Sequence, residues 1–225
     1  MDAPRHRPLL LGHRGARARK SLPENTLSSF DRALTDGCDG FEFDVRLTAD
    51  GAAVICHDPW SGGIEIGSAS AQQVFQLPQL RDVLARYQER AFLDIELKVG
   101  GIEKTVVSLI RDFPPHRGFV VSSFLPEVLQ AVRSADQKTP LGLICETHAE
   151  LRGWGHLPVT YVIPHYKLLD PSLIHEFKSA GKKVLVWTVN AAEEMLRVCN
   201  LGADGIISDD TALLVRTLGP QNAGG

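Results

Sequence analysis

Nine short apolar runs, spaced along 225 residues by segments of helical period, limit what this chain can fold into more than any other feature. The predicted strands are Pro8–Gly12, Gly40–Val45, Ala53–His57, Ala91–Leu97, Gly118–Ser122, Leu141–Cys145, Thr160–Pro164, Lys183–Thr188 and Gly205–Ser208. Alternation of this kind belongs to parallel strands joined by crossover helices. One connection breaks the pattern: Thr48-Ala49-Asp50-Gly51 is too short for a helix and carries the Asp-Gly signal of a hairpin. The third run is therefore expected to lie antiparallel to the second. Removing it leaves eight parallel strands, the number that closes a (β/α)8 barrel. The expected fold class is α/β, a single TIM barrel with a β-hairpin after its second strand.

Local punctuation supports the helices. Asn25 is placed to cap a helix that turns Leu27, Phe30 and Leu34 inward, with Gly37 at its stop. Asp170-Pro171 opens a segment with Leu173, Ile174 and Phe177 inward, and Pro126 opens another with Val128, Leu129 and Val132. One barrel domain spans residues 1–218, with a short cap insertion at about 59–90, and the small, polar tail 219–225 is expected to be disordered.

The charge balance excludes one class of partner. A net charge of −3 leaves no basic surplus for a nucleic-acid backbone, so a small molecule is the expected partner. The four cysteines stand far apart and read as free thiols. Near the start, only Leu9 to Leu11 are consecutively strongly apolar, so a cytoplasmic protein without stable membrane association is expected.

Ionisable residues gather at the downstream ends of the runs, where barrel enzymes place their sites. Glu42 and Asp44 are two apart in one strand, so both carboxylates point to one face, and Asp94, Glu96 and Lys98 repeat the arrangement in another. Glu42, Asp44 and Glu96 offer hard oxygen ligands suited to one divalent ion, Mg²⁺ or Ca²⁺, with Mn²⁺ also fitting. The hairpin returns His57 towards Asp44, so His13 and His57 face the same ion as a pair for general acid–base work. Arg14 and Lys98 are placed to hold the non-bridging oxygens of a phosphate.

In order, His13-Arg14-Gly15, Pro23-Glu24-Asn25-Thr26, Glu42-Phe43-Asp44-Val45, Asp50-Gly51, His57-Asp58 and Glu96-Leu97-Lys98 resemble the signature of glycerophosphodiester phosphodiesterases. The likeness continues through Val186-Trp187-Thr188-Val189-Asn190 and Gly202 to Asp209, covering almost the whole chain. It implies a barrel that hydrolyses glycerophosphodiesters to an alcohol and sn-glycerol 3-phosphate with a divalent metal. It also implies metal ligation by Glu42, Asp44 and Glu96, acid–base roles for His13 and His57, and phosphate contact by Arg14 and Lys98. Glu24 is then expected to support the first histidine and the arginine, and Trp187 to line the substrate pocket. The insertion after His57-Asp58 is shorter than is usual in that family. A phospholipase-like phosphodiesterase acting on lipids or lysophospholipids is the alternative activity.

Overall fold

The computed structural model describes residues 7–220. Its elements run β1 (Leu9–Gly12), α1 (Leu27–Asp36), β2 (Gly40–Leu47), β3 (Ala53–Ile55), β4 (Trp60–Ser61), β5 (Ile64–Glu65), α2 (Leu80–Tyr87), β6 (Phe92–Leu97), α3 (Glu103–Asp112), β7 (Phe119–Ser123), α4 (Pro126–Ala135), β8 (Leu141–Cys145), α5 (His148–Leu151), β9 (Tyr161–Pro164), α6 (Pro171–Ser179), β10 (Lys183–Val186), α7 (Ala192–Leu201), β11 (Gly205–Ser208) and α8 (Thr211–Leu218). Parallel pairing follows the order β1-β11-β10-β9-β8-β7-β6-β2, and β1 pairs with β2 to close the barrel. The third predicted run is β3, antiparallel to β2 through Val45↔Ile55 and Leu47↔Ala53. It ends at Ile55, two residues sooner than expected: the Cys56 amide still donates to the Asp44 carbonyl at 3.0 Å, its side chain packs with the cap, and His57 lines the cleft at the barrel mouth. Of the tail expected to be disordered, residues 221–225 lie outside the described residues.

Alternation along β2 sets the inside and outside of the barrel. Phe41, Phe43 and Val45 face the helices and are fully buried. The Phe41 ring stacks on Phe30 of α1 at 4.3 Å and meets Tyr87 of α2 edge-on at 4.9 Å. Burying rings of this size contributes most of what docks α1 and α2 on the strands. Gly40, Glu42 and Asp44 take the inner face. A Cβ at Gly40 would lie 1.8 Å from the Phe92 carbonyl oxygen, so no larger residue fits at that position. Deeper inside, Leu11, Phe92, Val120, Ile144, Tyr161 and Leu185 fill the lumen. The carboxylates thus sit above a packed apolar core.

One expectation needs correction. Thr26, not Asn25, caps α1: its hydroxyl accepts from the Ser29 amide, and Ser29 returns a capping-box bond. Asn25 is at φ 57° with its side chain turned onto Asp44, which takes it out of capping position. The short cap insertion contains the β4–β5 hairpin, closed by Gly62 and Gly63 at positive φ, before α2 begins. Ile66, Ala69 and Val74 pack with Val54 to anchor this small cap to β3. Cys38, Cys56 and Cys145 are free thiols, and no described helix is long and apolar enough to cross a membrane.

Candidate active site

The β1–α1 loop begins the site. Arg14 takes a left-handed backbone, φ 51°, a conformation costly for an L residue and kept mostly where a site requires it. In that turn the Arg14 amide donates to Glu42 Oε2 at 2.9 Å, while its guanidinium donates to Glu24 Oε1 at 2.7 Å and lies 3.3 Å from Asp44 Oδ2. Asn25 closes the loop from the other side, donating through Nδ2 to Asp44 Oδ2 at 2.8 Å. The backbone register of β2 and β6 sets Glu42 opposite Asp94 and Asp44 opposite Glu96. Lys98, one alternation beyond Glu96, reaches back to Glu96 Oε1 at 2.6 Å and to Asp44 Oδ1 at 3.4 Å.

Glu42, Asp44 and Glu96 therefore converge, with one oxygen of each within 4.8 Å of the others. Burial, and then the charges of Asp44 and Glu96, raise the Glu42 pKa well above that of a free carboxyl. Burial and Asp44 push Glu96 up to about 7 even though Lys98 opposes them. Asp94, one layer down, is pushed to about 7 by burial in spite of the hydrogen bond it accepts from Ser122. Glu42 Oε1 and Asp44 Oδ1 are buried without a hydrogen-bond partner. Crowded carboxylates with orphaned oxygens are what a hard divalent cation would complete, so the donor set fits the expected metal.

The two histidines both line the cleft that Glu42 and Glu96 line. His13 Nδ1 lies 2.7 Å from Asp209 Oδ1 and His57 Nδ1 lies 2.7 Å from Asp58 Oδ1. An ionised carboxylate has no proton to give, so each ring carries its hydrogen on Nδ1 and leaves Nε2 for the site. His13 Nε2 is 3.8 Å from Glu42 Oε2. Burial lowers the His13 pKa, against the pull of Asp209. Asp209 itself is held at about 2 by its bonds to His13 and Asn190, which outweigh its burial. Arg46 binds the His57 carbonyl through Nε and Nη2 at 2.8 and 2.6 Å and so holds that arm of the site.

All but two of the expected residues line one cleft of about 300 Å³: His13, Arg14, Glu42, His57, Glu96, Lys98 and Trp187. Asp44 lies directly beneath, and Glu24 braces Arg14 from behind. Glu24 also binds Arg17 at 2.6 Å, but the carboxylate on the His13 ring is Asp209, which corrects the expectation that Glu24 supports that histidine. Trp187 is fixed by its indole donation to the Ile163 carbonyl at 3.0 Å and by edge-on contacts with Phe124 and His165. His165 thus buttresses Trp187 and does not line the cleft. Asp209, Phe124 and Glu146 have places at the site that the sequence left without a role. The signal for Asp209 was present, since it follows Ser208 at a strand's downstream end. The next residue, Asp210, caps α8 by accepting from the Leu213 amide.

Carboxylates for a hard cation beside two cationic side chains, at the C-terminal rim of a β/α barrel, define a class of barrel enzymes that act on phosphate esters. Residues 13–63 and 72–213 match the family model described as the glycerophosphoryl diester phosphodiesterase family. A glycerophosphodiester phosphodiesterase of Caldanaerobacter subterraneus subsp. tengcongensis is 30% identical over 241 residues, covering 92% of this chain and 96% of its own. The solved structure of an Oleispira antarctica phosphodiesterase in complex with the product sn-glycerol-3-phosphate has a TM-score of 0.84 at 25% identity, covering 95% of this chain and 98% of its own. A glycerophosphodiester phosphodiesterase structure from Thermotoga maritima has a TM-score of 0.81 at 24% identity, with 94% and 98% coverage. The chain belongs to the glycerophosphoryl diester phosphodiesterase family and is a phosphoric diester hydrolase.

Proposed function

We propose that this protein hydrolyses glycerophosphodiesters to an alcohol and sn-glycerol 3-phosphate with the help of one divalent cation and two histidines. The observation that carries the proposal is the convergence of Glu42, Asp44 and Glu96 opposite Arg14 and Lys98 in the cleft that His13 and His57 flank. Glu42, Asp44 and Glu96 would hold Mg²⁺, Ca²⁺ or Mn²⁺. When bound, such an ion supplies positive charge to phosphoryl oxygens and lowers the cost of charge building on them.

The chain's own residues do the rest. Arg14 and Lys98 hold non-bridging phosphate oxygens, and both stay charged because nearby carboxylates outweigh the burial that works against them. His13, kept neutral by burial, accepts a proton at Nε2 from the attacking hydroxyl, whether water or the neighbouring glycerol hydroxyl. The Asp209 carboxylate stabilises the imidazolium that forms. His57, 34% exposed in its side chain, serves as the acid in its imidazolium form, with Nδ1–H held by Asp58 and a second proton on Nε2 that it gives to the leaving alcohol oxygen. Trp187 and Phe124 form the apolar wall along which the glycerol carbons lie. The product bound in the Oleispira antarctica neighbour supports the glycerol 3-phosphate half of this proposal.

Chelator-treated protein, assayed on several glycerophosphodiesters with each divalent metal added back, tests it through coupled detection of glycerol 3-phosphate. Release that depends on the added metal is expected. No release with any metal would remove the function and leave the fold as it is.

A further inference from the structure

His13 and Arg14 are consecutive in the chain, yet their side chains are oriented from two different parts of the fold. Asp209, just beyond β11, accepts from His13 Nδ1 at 2.7 Å, and Glu24, late in the β1–α1 loop, accepts from Arg14 Nη1 at 2.7 Å. Arg17 joins these two carboxylates. Its Nε donates to Glu24 Oε2 at 2.6 Å and its Nη1 to Asp209 Oδ1 at 3.3 Å. His13, Asp209, Arg17, Glu24 and Arg14 thus form a ring of alternating donors and acceptors that the chain itself closes between residues 13 and 14. Among the described residues, no other side chain hydrogen-bonds both carboxylates.

The backbone fixes this ring in place. The Ala18 amide donates to the Asp209 carbonyl at 2.9 Å, which ties the loop carrying Arg17 to the β11–α8 turn. Asn190 holds the other oxygen of Asp209 through Nδ2 at 2.7 Å and accepts the Asp209 amide at 2.9 Å. Only arginine suits the linking position, because its planar fork offers separate N–H groups to two carboxylates while a lysine is a single point charge. The Arg17 side chain is 40% exposed and does not line the cleft. Ion pairs exposed to this degree add little to stability, so the contacts act on geometry more than on folding.

We propose that Arg17 is a positioning residue that holds the His13 base and the Arg14 phosphate clamp in fixed relation, acting through Asp209 and Glu24 without touching substrate. The proposal rests on the roles given above to His13 and Arg14. A hydroxyl is deprotonated productively only when the base and the phosphate stand in register, and a misplacement of about 1 Å can cost on the order of a hundredfold in rate.

Steady-state kinetics on glycerophosphocholine with the metal-loaded protein tests this. Arg17→Met is expected to lower kcat about tenfold or more with an unchanged melting temperature, and Arg17→Lys to restore only part of the loss. The decisive readout is a double-mutant cycle of Glu24→Gln and Asp209→Asn. With Arg17 present, their combined effect on kcat/KM is expected to depart from the product of the single effects by about threefold or more, and in the Arg17→Met background the two effects are expected to multiply. Wild-type kcat in Arg17→Met, full restoration by Arg17→Lys, or a kcat loss that tracks a fall in melting temperature would overturn the proposal. So would single effects that multiply with Arg17 in place, or a coupling that survives its removal. A wild type inactive with every metal, or a His13→Ala protein as fast as the wild type, would instead overturn the catalytic reading on which the proposal rests.

Discussion

The carboxylate cluster predicts a linkage between pH, cation and stability. In the folded protein Glu96 keeps its proton up to about pH 7, whereas the unfolded carboxyl releases it near 4.5. A native state that binds more protons than the unfolded one loses stability as pH rises through that window, and the loss is complete above about pH 7. At roughly 1.4 kcal/mol per pH unit, Glu96 alone accounts for up to about 3 kcal/mol. Glu42 and Asp94 act in the same direction. Glu96→Gln removes one charge while its amide oxygen still accepts from Lys98. The cation-free variant should therefore melt above the wild type at about pH 8, by up to roughly 6–12 °C for a chain of this size, and match it near pH 5. Mg²⁺ at a hundred times its Kd should raise the wild type by about 2.7 kcal/mol, or some 5–10 °C, and leave Glu96→Gln almost unmoved. Melts followed by circular dichroism after chelator treatment read all of these. A wild type indifferent to Mg²⁺ at about pH 8, with Glu96→Gln melting below it, would refute the reasoning: Arg14 and Lys98 would then neutralise the cluster unaided.

Four further outcomes follow from particular contacts. His57→Ala and His13→Ala should each lower kcat by about 10²- to 10⁴-fold on a glycerophosphodiester, with the melting temperature little changed for the more exposed His57. Asp209→Asn should lower kcat with little change in KM, because the Asn Oδ1 still orients the His13 ring but no longer stabilises its protonated form; steady-state kinetics would separate this from simple loss of binding. Lys98→Met should raise KM and lower kcat together, and should also remove the counter-charge that opposes the rise of Glu96, so inhibitor binding by sn-glycerol 3-phosphate should weaken in parallel. Gly40→Ala should cost more than about 3 kcal/mol in urea denaturation, because its Cβ meets backbone rather than a side chain that can move.

The barrel was legible because period-two alternation and one Asp-Gly hairpin fix both the strand number and which face of β2 and β6 points inward. That parity brings Glu42, Asp44, Glu96 and Lys98 together, and it depends on nothing beyond the order of residues in two strands. What was missed depends on backbone turned out of its usual range. Asn25 has the chemistry of a helix cap, but at φ 57° its amide faces Asp44, and Thr26 takes the cap instead. Asp209 reaches His13 only because β11 lies beside β1, a neighbourhood 196 residues apart in sequence that exists only once the barrel closes. The cap hairpin was unreadable for a different reason: two-residue strands carry too little pattern, and only Gly62-Gly63 marked the turn.

The claim on which the rest depends is that the carboxylate-held cation and the phosphate occupy one site. Phosphorus NMR of sn-glycerol 3-phosphate with Mn²⁺-loaded protein tests it, since a paramagnetic ion broadens the resonance of a phosphate bound beside it. Strong broadening by the wild type, reversed by excess Mg²⁺ and lost in Glu96→Gln, is the predicted result. Broadening no greater than free Mn²⁺ gives at the same concentration, with sn-glycerol 3-phosphate still bound, would place the phosphate away from the cluster and contradict it.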